Sequence, residues 1–137
     1  MKSSQISPLV LVVKPKELPE LKNHKDEVLP PPYGPRVFHL GDELVPGADM
    51  FITSRTITSL DGPAEPNVQP HRHAVSQTYL VFGSGDDGLE VEVAIEEQKV
   101  TARAPTTIFI PAGAMHSIRV LRGTGTLVGV LRSGRYD

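Results

Sequence analysis

Two short histidine segments carry the chemistry open to this chain. The first reads Pro70-His71-Arg72-His73, with Gln77 and Tyr79 just downstream; the second reads Pro111-Ala112-Gly113-Ala114-Met115-His116. Imidazole is the commonest protein ligand for metal ions, and alternate residues of a strand project to one face, so His71 and His73 can hold one ion together. Gln77, Tyr79 and Val81 share that parity. His116 must then arrive from a different strand to close the site. The chain has no cysteine, which removes disulfides and thiolate ligands and leaves nitrogen and oxygen donors. A divalent transition metal is the expected cofactor, with Fe, Zn, Mn and Ni all compatible with an imidazole-rich site.

The elements that must position these residues are short strands. Residues 106–110 read as a strand that Pro111 ends; Gly113 permits a tight reversal, and residues 115–121 return antiparallel, carrying His116 back over the face of His71 and His73. Further β-like runs cover residues 37–40, 50–60, 68–73, 77–82, 89–95, 98–102 and 126–131, separated by turn residues. Leu89, Val91, Val93 and Ile95 alternate with polar or small neighbours, as in a strand with one apolar face. No run has a 3.6-residue period. In the long run 50–60, Arg55 shares its parity with Phe51, Thr53 and Ile57, while Ile52, Ser54, Thr56 and Thr58 form the other face. Which face looks inward is open at this level. Pointing inward, Arg55 would bind a substrate carboxylate through two parallel hydrogen bonds. Tyr79, two residues beyond Gln77, would set a phenol near the metal to donate or accept a proton. His24 and His39 lie outside both segments and receive no role.

The order His71-x-His73-xxx-Gln77, then Pro111-x-Gly113-xx-His116, resembles the two signature motifs of the cupin superfamily, over roughly residues 48–132. The resemblance implies an all-β, antiparallel jelly-roll barrel in which the first motif supplies two histidines and a carboxylate and the second a third histidine, all on one metal. Here Gln77 stands in place of the carboxylate, Glu65 and Pro105 in place of two glycines, and Val120 in place of an asparagine. An amide oxygen neutralises none of the ion's charge, so a His3Gln set leaves the metal strongly electrophilic. That favours Lewis-acid and proton-transfer chemistry of lyase, isomerase or cyclase type. Similar tyrosines act as acid or base in some cupin lyases. A non-haem iron dioxygenase and a non-catalytic module that binds a small molecule or a metal are the alternatives.

The rest of the chain bounds this reading. With 137 residues, 39% apolar, 22% charged, 12 Gly and 13 Pro, it suits one turn-rich barrel. Residues 1–35 form an expected N-terminal arm, a strand from the apolar run 8–13 followed by a Pro-rich wrap, and residues 36–137 the barrel. The arm's strand would pair with an exposed edge of its own sheet or a partner's, which points to a homodimer. Basic and acidic residues, 14 and 16, are interspersed with a net charge of -2, against a nucleic-acid partner. Arg119, Arg122, Arg132 and Arg135 cluster toward the C-terminus as a solvated edge or an anion-contacting rim. The run 8–13 is too short for a signal core and no segment reaches membrane-spanning length, so a soluble, cytoplasmic protein acting on a small molecule is expected. Gly83-x-Gly85-xx-Gly88 mimics a dinucleotide fingerprint but lies between two strands with no helix to receive a phosphate. No Gly-x-Ser-x-Gly elbow is present for nucleophilic hydrolysis.

Overall fold

Period-two alternation of apolar and polar residues yields eight strands in the computed structural model, which describes residues 10–137. They are β1 (Lys16–Glu17), β2 (Val37–Leu40), β3 (Phe51–Leu60), β4 (Gln77–Phe82), β5 (Glu90–Ile95), β6 (Gln98–Arg103), β7 (Thr106–Ile110) and β8 (His116–Leu131). Every ladder between these strands is antiparallel, with the order β1-β2-β3-β8-β4-β7 on one side and β6-β5-β8 on the other. The all-β jelly-roll expectation is met.

The strand β8 belongs to both sides. Its first part, from His116 to Arg122, pairs with β5, and its last part, from Gly123 to Leu131, pairs with β3 and β4. The spacing suggested two strands with a turn around residues 122–125; the chain instead runs through as one. Gly123 makes this possible with φ of 104°, and an added Cβ there would lie 2.6 Å from the Gly88 carbonyl oxygen. Register also slips at Leu121 opposite β5 and between Ile57 and Leu60 of β3. These bulges switch the inward parity. His116, Ile118 and Val120 face inward before the bend, whereas Leu127, Gly129 and Leu131 line the interior after it.

The core lies between the two sides. Ile57 of β3, Val81 of β4, Val91 and Val93 of β5, Ile110 of β7 and Val120 of β8 are almost fully buried in one cluster. A second cluster, Phe38, Phe51 and Leu131, holds one end, with the Phe38 and Phe51 rings stacked at 4.9 Å and Tyr136 packed against them.

Two further expectations need correction. Residues 68–73 are not a ladder strand: Pro66 and Pro70 remove donors, and only isolated bridges form, from His24 to Val68 and from His71 to His116. In the arm, the first strand among the described residues is β1, flanked by Pro15 and Pro19; residues 10–13 of the apolar run form no strand, Val10, Leu11 and Val12 are exposed, and Pro8 and Leu9 lie outside the described residues. The arm also contains a short 3-10 helix, Asp26–Val28, and its residues 18–36 lie against the barrel through Leu18, Leu21, Leu29 and Tyr33. The hairpin expected near residues 95–98 is present: Ile95 pairs with Gln98 around two residues, and Glu96 takes the positive φ of 53° that such a turn demands.

Candidate metal centre

Local geometry brings the histidines together. Pro111 ends β7, Gly113 adopts φ of 84°, and its N–H donates to the His73 carbonyl at 2.8 Å, so the turn is docked on the first histidine segment. His71 and His116 exchange both backbone hydrogen bonds, at 3.0 and 2.8 Å. The result is a cluster of His71, His73 and His116, all buried, whose ligand nitrogens lie within 4.8 Å of one another. The three ring centroids are 4.7, 4.8 and 5.6 Å apart.

Each ring is oriented by a main-chain oxygen. Nδ1–H of His71 donates to Gln69 at 2.6 Å, that of His116 to Ala114 at 2.9 Å, and that of His73 to Asp137. With Nδ1 protonated, every Nε2 carries a lone pair, the arrangement found around metal-bound imidazoles. Burial holds the pKa values of His71 and His116 below the ordinary imidazole value, which keeps them neutral at pH 7. Nε2 of His73 is buried without a hydrogen-bond partner among the described residues. A buried lone pair of that kind is costly unless something electrophilic meets it. The donor set therefore fits a transition-metal ion.

Gln77 and Tyr79 face inward from β4 as their parity demanded, both buried. Gln77 Oε1 lies 2.9 Å from His116 Nε2. As oriented, two acceptors face each other, a contact satisfied by a cation between them or by turning the amide to present its N–H. The Tyr79 ring stands 6.5 Å from that of His116, and burial pushes its phenol well above the usual range, so its hydroxyl stays protonated.

Beside the histidines, and touching them through Gln77 and Tyr136, lies a cavity of about 80 Å³ whose lining also includes Tyr79, Arg36, Arg55 and Asn67. Arg55 thus points inward, which settles the face of β3. It shares one carboxylate with a second arginine: Arg36 reaches Asp26 at 2.8 Å, Arg55 at 3.4 Å, and Asn67 donates to the same group at 3.3 Å. Two guanidinium groups against one carboxylate leave a net positive charge in a half-buried place. Arg55 Nε and the Tyr33 hydroxyl are both buried there without hydrogen-bond partners among the described residues, and burial lifts the Tyr33 phenol to about 12. The C-terminal arginines do not form one rim: Arg119 pairs with Glu92 at 3.3 Å, Arg122 donates to the Asp86 carbonyl at 2.9 Å and Arg135 pairs with Asp42 at 2.7 Å.

Several site residues escaped the sequence reading. Tyr136 donates from its hydroxyl to His71 Nε2 at 2.9 Å, and His24 lines the cavity with its ring 6.2 Å from that of His71. Asp26, Arg36 and Tyr33 come from the arm or its junction with β2. No spacing rule flags them, because each reaches the site through the fold of an irregular segment.

No protein-family model and no curated protein matches this chain. Solved structures do. KdgF from a Halomonas species superposes with a TM-score of 0.52 at 17% identity, over 79% of this chain and 84% of its own. Oxalate decarboxylase from Bacillus subtilis, described with Mn(II) centres, gives 0.52 at 15% identity, over 76% of this chain and 26% of its own. A variant of that decarboxylase gives 0.54 at 14% identity, over 93% and 32%. At such identities the likeness establishes a shared fold, and the present chain spans a minor part of the decarboxylase.

Proposed function

The chain has the cupin fold, and on that premise we propose that it is a metal-dependent enzyme acting on a small organic anion by Lewis-acid and proton-transfer chemistry, of lyase, isomerase or cyclase type. In this reading His71, His73, Gln77 and His116 hold a divalent transition metal, Fe, Zn, Mn or Ni. The observation that carries it is the juxtaposition of two poles: three clustered imidazoles, one with a buried Nε2 that has no partner among the described residues, and a cavity whose arginine pair is one negative charge short. When bound, the ion would polarise a substrate carbonyl or hydroxyl oxygen. Arg55 orients the substrate by its carboxylate, with Arg36 adding field from behind. Tyr79 holds a proton at its hydroxyl for delivery into the cavity. The apolar walls, Val68, Ile118, Val120 and Leu127, exclude water and strengthen these contacts.

Support for a non-oxidative reaction comes from Gln77. A neutral amide does less than a carboxylate to stabilise a higher-valent ion, which works against oxygen activation. The test is turnover of a panel of small hydroxy- and oxo-carboxylates, oxalate included, under strict anaerobiosis with Zn or Mn in place of Fe. Substrate loss without oxygen supports the proposal. Oxygen uptake matched to substrate loss decides for a dioxygenase, and tight binding of a panel member without turnover decides for a non-catalytic binding module.

A further inference from the structure

The proposed ligand set contains no anion. Among the described residues no aspartate or glutamate oxygen joins the three histidine nitrogens within 4.8 Å, and Gln77 is neutral. A divalent ion held only by neutral donors in a buried place keeps its whole charge uncompensated, which a protein interior disfavours. One further ionisable oxygen does stand at the cluster, a phenol that burial alone keeps protonated. The Tyr136 hydroxyl lies 2.9 Å from His71 Nε2, on the same nitrogen that would face an ion. Gln77 Oε1 keeps the same 2.9 Å from His116 Nε2. Donor atoms about 2.1 Å from one ion sit about 3 Å apart at the right angles of an octahedral set and about 3.4 Å apart in a tetrahedral one. The hydroxyl, hydrogen-bonded to His71 Nε2, therefore stands at a distance that an octahedral co-ligand would also keep.

The ring is held there. It packs with Phe51 at 5.6 Å between centroids and with His73 at 4.9 Å, and the next residue's main-chain oxygen receives Nδ1–H of His73. The C-terminal segment thus fixes one histidine by its backbone and touches a second by its side chain.

Resting on the metal centre proposed above, we infer that Tyr136 is a metal ligand, binding as phenolate and supplying the negative charge that Gln77 lacks. On metal binding the phenol O–H bond breaks, its proton passes to water, and the oxygen takes its place on the ion. The site then carries a net charge one unit lower and remains positive, so it stays a Lewis acid.

Wild type, Tyr136→Phe and Tyr79→Phe are loaded anaerobically with Fe(II), counted by elemental analysis, oxidised with ferricyanide, and examined by visible absorption and resonance Raman spectroscopy. Phenylalanine keeps the ring in its Phe51 packing, so the fold is preserved. Wild type and Tyr79→Phe are expected to show a phenolate-to-iron(III) charge-transfer band with phenolate ring modes. Tyr136→Phe is expected to lack both while retaining iron, and to bind Zn(II) at least about tenfold more weakly, since even outer-shell partners of a metal are worth about 10–100-fold. A band unchanged in Tyr136→Phe overturns the inference, as does wild type holding one ferric ion per chain with no such band, or Tyr136→Phe binding Zn(II) as tightly as wild type. If wild type retains no metal at all, the metal centre itself falls, and the inference falls with it.

Discussion

At the scale of single residues, ligand count sets the outcome. His71→Ala, His73→Ala and His116→Ala each remove one of three clustered nitrogens and are expected to leave less than a tenth of a metal ion per chain, measured by elemental analysis after dialysis. Gln77→Ala should weaken retention less, whereas Gln77→Glu should hold or increase it, because a carboxylate adds an attractive charge. Stoichiometric metal in all three histidine variants would refute the centre. Arg55 acts at the other pole. Arg55→Ala should leave metal content unchanged and weaken a carboxylate ligand about tenfold to a hundredfold, the worth of a hydrogen-bonded charge pair, with calorimetry as the measure. Arg55 could be ranked as a carboxylate receptor from its type, yet its direction could not be read from parity, since Thr and Ile residues occupy both faces of that strand. The opposite holds for His71, His73 and His116, whose spacing alone announced them.

At the scale of elements, β8 decides the site. Its first part carries His116 and its second lines the cavity, and the two meet at a bend that only Gly123 tolerates. Gly123→Ala must place a Cβ 2.6 Å from the Gly88 carbonyl oxygen and hold alanine at φ of 104°. A loss of about 1–3 kcal/mol is expected from urea unfolding. Gly62→Ala serves as the comparison: nothing lies within 4 Å of its added Cβ, and a change within about 0.5 kcal/mol is expected. The residues at 122–125 were readable as a turn from composition. That they instead let one strand cross between two sheets depends on the bulges opposite β3 and β5, which are properties of the paired strands and not of either alone.

At the scale of the whole molecule, burial links the site to pH. His24 is pushed from 6.5 to about 4, chiefly by burial, and His71 and His116 shift in the same direction. The unfolded chain therefore takes up protons before the folded one does. Stability is full above about pH 6.5 and falls as pH drops toward 4, since lowering pH there favours the state that binds more protons. Metal-free protein should show its urea midpoint declining between pH 7 and pH 5, and His24→Gln should make that decline shallower; an unchanged slope would exclude His24 as a contributor. The sequence by itself determined the strand alternation, the two histidine segments and the Pro-Gly turn that returns His116 over them, because each rests on local periodicity or on one residue's backbone limits. Only the tertiary structure decided that Arg55 faces inward, that Asp26 of an irregular arm and Arg36 at its junction with β2 build the charged wall, and that Tyr136 rather than Tyr79 touches an Nε2 of the histidine cluster. Those placements arise where segments without a repeating period are held by contacts to distant strands, and such contacts leave no local pattern to read.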